Sequence, residues 1–178
     1  MIGKTTMVFK EKVKVYNKSY HDLPQYETPN SVALDLKAYF GEKETEADFL
    51  GSGGYSFNKE NRELILFAKG GRVLIPTGLH IALKEGVEFQ VRPRSGLALK
   101  HGISIVNSPG TIDSDYRGEI GIILINTDPH TDFVIKCGDR IAQGMVRTCE
   151  EIVWEKVFGI EELGHTERGQ GGFGHTGK

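Results

Sequence analysis

Residues 107–118, Asn-Ser-Pro-Gly-Thr-Ile-Asp-Ser-Asp-Tyr-Arg-Gly, put an amide, two carboxylates and a phenol into one short segment that Pro109 and Gly110 break and Gly118 closes. Asn107 offers donors and an acceptor from a single amide, which suits a base edge showing both kinds of group, as uracil's does. Asp113 can take a proton from water as a general base. A polyphosphate beside it would call for a divalent cation bound through oxygens. Tyr116 is a flat, stiff body able to pack against a sugar. The same residue types also serve as plain turn formers, bonding their own backbone, so the weight of this segment comes from what accompanies it.

Three other stretches do. Arg92-Pro93-Arg94-Ser95-Gly96-Leu97 sets two guanidiniums and a hydroxyl at the end of a strand, where N–H groups beside Gly96 can approach a phosphate. Strand alternation makes Arg92 and Arg94 neighbours on one face. Gly138-Asp139-Arg140-Ile141-Ala142-Gln143 is a turn running into a strand, with Gln143 on the face opposite Ala142. Residues 164–178 combine many glycines with Arg168 and Phe173. Glycines let a backbone turn its N–H groups toward an anion, Arg adds a forked charge, and Phe adds a stacking face worth about 1–3 kcal/mol to a nucleobase. A disordered chain end is the ordinary alternative. Gly172–Lys178 matches the start of a phosphate-binding P-loop, but no Ser or Thr follows Lys178 and no helix does. The six histidines show no metal-ligand spacing, His101 reads as a packing or locally bonded residue, and no Gly-x-Ser-x-Gly elbow occurs.

The elements that must hold these groups are strands. Val13 and Val15, Val32-Leu34-Leu36 with Asp35 facing the other way, Leu79-Ile81-Leu83 and Val87-Phe89-Val91 alternate with period two. Ile103–Val106 and Ile120–Ile125 flank the first segment as β-branched runs, and Phe133–Ile135, Ile141–Val146 and Ile152–Val157 are short and β-rich. No long helical stripe is present. The pattern predicts an all-β, jelly-roll-like β-barrel with one short helical turn over 97–101. Residues 1–163 read as a single domain, with 41–62 a charged loop or insertion and 164–178 a flexible glycine-rich C-terminal arm. Trp154 reads as core or interface, and no internal repeat is visible.

At 178 residues the chain is long enough to bury a real core without disulfides. Its two cysteines, Cys137 and Cys149, form no metal or redox motif. A net charge of -2 supplies no global field for nucleic acid. The segment 1–14 lacks the apolar run of a signal peptide, and no stretch is apolar enough to span a membrane, so a cytoplasmic protein is expected.

Taken in order, these motifs resemble the five motifs of the trimeric dUTPases: Ser31–Leu36, Pro93–Leu97, Gly110–Gly118, Gly138–Gln143 and Arg168–Gly177. The resemblance implies hydrolysis of dUTP to dUMP and pyrophosphate by water attack on the α-phosphorus, with Asp113 the base that activates the water. It implies that Asn107 pairs with uracil beside backbone groups of Gly110, Thr111 and Ile112, and that Tyr116 packs on the deoxyribose and excludes a 2'-hydroxyl. Arg94, Ser95, Gly96 and Gln143 would bind phosphates, Arg168 the γ-phosphate, and Phe173 with Gly174 would cover the base. Asp35 would help hold Mg2+ through water. Three chains would build each site, with no nucleic-acid or membrane partner. The chain departs from the family pattern at Ala33, at His175 and in the length of 41–62. Two alternatives compete. A dCTP deaminase needs a glutamate where Ile123 stands, and a non-catalytic nucleotide-binding barrel would use Phe173 alone as its platform.

Overall fold

Period-two burial builds this molecule almost entirely from short strands. The computed structural model describes residues 10–43, 45–51 and 53–172, and twelve strands and one α-helix lie among them. In chain order these are β1 (Lys14–Asn17), β2 (Leu34–Lys37), β3 (Tyr55–Asn58), β4 (Glu63–Leu66), β5 (Arg72–Pro76), β6 (Leu79–Ala82) and β7 (Val87–Arg92). The helix α1 (Ser95–His101) follows, then β8 (Ile103–Ile105), β9 (Gly110–Ile112), β10 (Gly121–Asn126), β11 (Phe133–Lys136) and β12 (Arg140–Thr148). They pair as a four-stranded sheet β2-β12-β7-β9, two three-stranded sheets β5-β10-β8 and β11-β4-β3, and a ribbon β1-β6. Every pairing is antiparallel, in keeping with the all-β, jelly-roll-like expectation.

One apolar cluster joins the sheets. Leu36, Phe40, Leu64, Leu66, Val73, Ile75, Ile103, Ile120, Ile122, Leu124, Ile135 and Ile141 are fully buried in it. Each such side chain contributes roughly 1.5–3 kcal/mol relative to exposure. In β7 the alternation is complete, with Val87, Phe89 and Val91 inside and Glu88 and Gln90 turned out. Helix α1 is longer than the turn expected at 97–101, beginning at Ser95. It stops at Gly102, whose left-handed φ of 63° lets its N–H return to Ala98 O at 3.2 Å. His101 packs its ring 5.2 Å from that of Phe133.

Three expectations need correcting. The 41–62 segment is not merely a loop: Tyr55–Asn58 forms β3, which pairs with β4, and Phe57 packs with Phe49 and Phe40. Its charged flanks obscured that short strand. Val32 lies outside β2 and is 70% exposed. Ile152–Val157 makes no strand, because no strand among the described residues pairs with it, and Trp154 is 85% exposed, which removes the core reading of the two expected for it. Of the expected arm, residues 164–172 are irregular with a turn over 167–170 and are exposed apart from half-buried Gly171, while Phe173 and Gly174 lie outside the described residues.

The turn between β5 and β6 anchors the chain entering β10. Buried Thr77 donates from its N–H and its hydroxyl to Ile120 O at 3.2 and 2.7 Å, and Ile120 N–H donates to Leu79 O at 2.8 Å. Replacing Thr77 with Val removes the two buried hydrogen bonds of its hydroxyl, the one donated to Ile120 O and the one accepted from Leu79 N–H at 3.3 Å, while keeping the shape. Urea unfolding should show a loss of about 1–2 kcal/mol; an unchanged midpoint would show that the anchor contributes nothing.

Candidate active site

Asp35 is only 6% exposed, so its carboxylate must be compensated inside the protein. Its Oδ1 accepts from Arg94 Nε at 3.2 Å and from Gln143 Nε2 at 3.0 Å. Its Oδ2 accepts from Arg94 Nη2 at 3.3 Å and lies 3.2 Å from Arg140 Nη1. A carboxylate has about four acceptor positions, and these contacts occupy them. Arg94 immediately precedes α1, where its side chain makes no helix cap and is free to reach across to β2. Its Nη1 also donates to Arg140 O at 3.1 Å. Ser95 and Gly96 follow it, both exposed. Arg92, expected beside Arg94, instead donates to Gln90 Oε1, including a bond of 2.8 Å from Nε.

Arg140 is the member that sequence reasoning missed. Strict alternation puts residues 140 and 143 on opposite faces of a strand, yet both reach Asp35. The pairing of β12 with β2 explains this: Arg140 faces Lys37 and Ala142 faces Leu36, leaving Ile141 as an extra residue. Such a bulge re-aims side chains. Ile141 and Ala142 both turn inward, and Arg140 and Gln143 flank the carboxylate from either side. Arg140 Nη1 additionally bonds Glu27 Oε1 at 3.2 Å.

A second cluster gathers on the hairpin. Gly110–Ile112 is β9, with Gly110 buried, Thr111 exposed and Ile112 packed against the core. The Asn107 amide folds back to Gly110, its Nδ2 3.3 Å from where a Cβ there would lie. Asp113 leaves the end of β9 exposed to solvent, and Tyr116 N–H closes a turn onto Asp113 O at 3.2 Å. Arg117 Nη1 braces that turn, donating to Ser114 O at 2.8 Å and Tyr116 O at 2.9 Å.

The structure brings Asp35, Arg94 and Gln143 together and brings Asn107 and Gly110 together, but it does not join the two groups within one chain. Gln143 faces Arg92 across β12 and β7, while Val91 faces Gly110 and Phe89 faces Ile112 across β7 and β9. Asp113 therefore lies about four residue steps, or roughly 13 Å, along the sheet from the row holding Gln143. Arg94 continues beyond that row in the opposite direction. Arg168 bonds locally, from Nε to Gly171 O at 2.8 Å. A cavity of about 550 Å³ is lined by Lys18, Tyr39, Lys43, Leu74, Glu119 and Gly121 among others, and by none of the expected site residues.

Asp35→Asn should cost about 1.5–3 kcal/mol of stability, since charge-assisted hydrogen bonds are replaced by contacts with an amide that also carries donors. Chemical denaturation with and without salt checks this; equal stability would mean that the carboxylate is not the cluster's keystone.

Known proteins resemble this chain in sequence and in fold. The family model described as dUTPase matches residues 51–177. The deoxyuridine 5'-triphosphate nucleotidohydrolase of Finegoldia magna is 45% identical over 166 residues, covering 93% of this chain and 99% of its own. That of Fusobacterium nucleatum subsp. nucleatum is 42% identical over 169 residues, covering 95% and 99%. Among solved structures, the dUTPase of Staphylococcus bacteriophage 80alpha, a G164S mutant with dUpNHpp, has a TM-score of 0.69 at 19% identity, covering 95% of this chain and 100% of its own.

Proposed function

The chain belongs to the dUTPase family, and from that membership we propose how its own residues divide the hydrolysis of dUTP to dUMP and pyrophosphate. Asp113 takes the proton of a water molecule whose oxygen bonds to the α-phosphorus. The bond from that phosphorus to the α,β-bridging oxygen breaks, and pyrophosphate leaves with the electron pair. A carboxylate exposed at a strand end, at the start of a turn whose backbone Arg117 braces, suits this role. Arg94, Ser95, Gly96 and Gln143 hold phosphates, and Arg140 joins them as a second guanidinium beside Asp35. Phosphoryl transfer is mostly positioning and charge compensation, so no covalent nucleophile is required.

Asn107 with the backbone of Gly110, Thr111 and Ile112 reads uracil, because a cytosine amine would leave buried donors or acceptors unpaired. Tyr116 meets the deoxyribose. Arg168 reaches the γ-phosphate, and Phe173 with Gly174 covers the base. The deaminase alternative gains nothing here, since Ile123 is an apolar residue of β10 facing Leu74.

The Asp35 cluster does not fit a directly bound cation. Its acceptor positions are taken, and no group of three or more candidate ligands occurs among the described residues. Mg2+ enters this reading only as a counter-ion of the triphosphate, through oxygen ligands.

The observation that carries the proposal is the separation of Asp113 from Arg94 and Gln143 along one sheet. A complete site then needs more than one copy, and we assign a homotrimer. Two surfaces support association: the outward apolar face of β5-β10-β8, with Leu74, Ile123 and Ile125, and the exposed Ile152, Val153, Trp154, Phe158 and Leu163. A reducing cytoplasm is the setting we assign, which the free Cys137 and Cys149 support. No helix among the described residues is long and apolar enough to cross a membrane.

A pyrophosphate-release assay comparing dUTP with dTTP, dCTP and UTP tests the reaction, and turnover that ignores the base would refute it. Asp113→Asn should retain dUTP binding and lose kcat by about 10²–10⁴-fold; near-normal turnover would remove Asp113 from the mechanism. Mixing inactive Asp113→Asn with inactive Arg94→Ala chains, unfolding and refolding them together, should restore about a quarter of the wild-type rate if each site draws these residues from different copies. No recovery would place both in one chain.

A further inference from the structure

We propose that Gly118 determines sugar specificity by seating the Tyr116 ring, an inference that rests on the role just assigned to Tyr116. A Cβ built on Gly118 would overlap the Tyr116 hydroxyl and Cζ, and would lie 2.9 Å from Cε2. Gly118 is not among the glycines with positive φ, so its backbone would admit any residue. The requirement is space for the ring, not conformational freedom.

The same end of the ring is also held by a hydrogen bond. Tyr116 O–H donates to Glu119 O at 3.1 Å. Glu119 is itself fixed: its Oε1 accepts from Gly78 N–H at 2.6 Å, and its Oε2 pairs with Lys18 Nζ at 2.7 Å. His80 Nδ1 lies 3.0 Å from Arg117 O, tying the same hairpin to β6. Tyr116 thus lies against the bare Cα of Gly118, pinned at its hydroxyl, and remains 44% exposed on its open side. A rigid plate with one open face can refuse one extra hydroxyl on a sugar. A plate lifted by a methyl group cannot hold the same line.

Gly118→Ala forces the ring outward. It should lower kcat/KM for dUTP and shrink the preference for dUTP over UTP, each by about ten- to a hundredfold, the scale on which displacement of a positioning group by about 1 Å is felt. The decisive measurement is a cycle with Tyr116→Ala, reading the dUTP/UTP ratio of kcat/KM together with Tm. Gly118→Ala should change the ratio in the wild-type background and leave it unchanged in Tyr116→Ala. A Gly118→Ala protein with the wild-type ratio, or an equal loss in both backgrounds, overturns the inference. Should Gly118→Ala fail to fold, Tyr116→Phe keeps the ring and removes its pin. A several-fold fall in the ratio at unchanged Tm then supports the inference, and an unchanged ratio counts against it. A wild-type protein that releases no pyrophosphate from dUTP would instead overturn the function on which the inference rests.

Discussion

A carboxylate with little access to water has to be met by donors, and Asp35 recruits them from three places in the chain: the residue before α1, the first residue of β12 and Gln143 of the same strand. That single requirement fixes much else. It orients the Arg94 guanidinium across the sheet, holds the bulge of β12 against β2, and draws Arg140 to the same side as Gln143. Two guanidiniums meet two carboxylates there, since Arg140 also pairs with Glu27, so the cluster balances its own charge and the groups proposed to hold phosphate offer hydrogen-bond donors rather than surplus charge.

The rigidity that sharpens this cluster also keeps it away from the base. Antiparallel register in β2-β12-β7-β9 leaves no freedom for Asp113 to slide toward Arg94, because a slip by one residue would turn the buried side chains of β7 and β9 outward. Flexing the hairpin offers no escape either, since Thr77, Gly78 and His80 tie it to the β5–β6 turn and the start of β6. On the assembly proposed above, two half-sites held apart on one chain are brought together by association rather than by motion. The apolar residues left exposed after β12, and the half-buried ones on the outer face of β10, are the surfaces through which association would gain its free energy.

Much of this was legible in the residues. The strands of the core followed from alternation at Leu79–Leu83 and Val87–Val91, where one face is buried and the other is not. The hairpin stood out through the motifs that accompany it, since Asn, Asp, Tyr, Pro and Gly also serve plain turns. Other features were hidden for physical reasons. The bulge at Ile141 breaks the period that would have grouped Arg140 with Gln143, and no local residue announces it. The strand Tyr55–Asn58 is four residues inside a charged stretch, stabilised by Phe57 against Phe40 and Phe49 rather than by its own propensity. Ile152–Val157 has a strand's composition but no partner, and pairing is not a property of one segment.

Selectivity and chemistry make different demands on such a scaffold. In-line displacement at phosphorus tolerates groups gathered from several copies, provided each is stiff, because charge compensation falls off gradually with distance. Rejecting a single hydroxyl is governed by contact, where a few tenths of an ångström separate fit from overlap. It is consistent with this that the hairpin is braced entirely within one chain, with Tyr116, Gly118 and Glu119 in mutual contact. On the roles proposed above, residues that choose the substrate lie close together in the sequence, whereas residues that bear its charge are distributed. A site divided in this way would keep its discrimination while assembly brings the charge-bearing groups together.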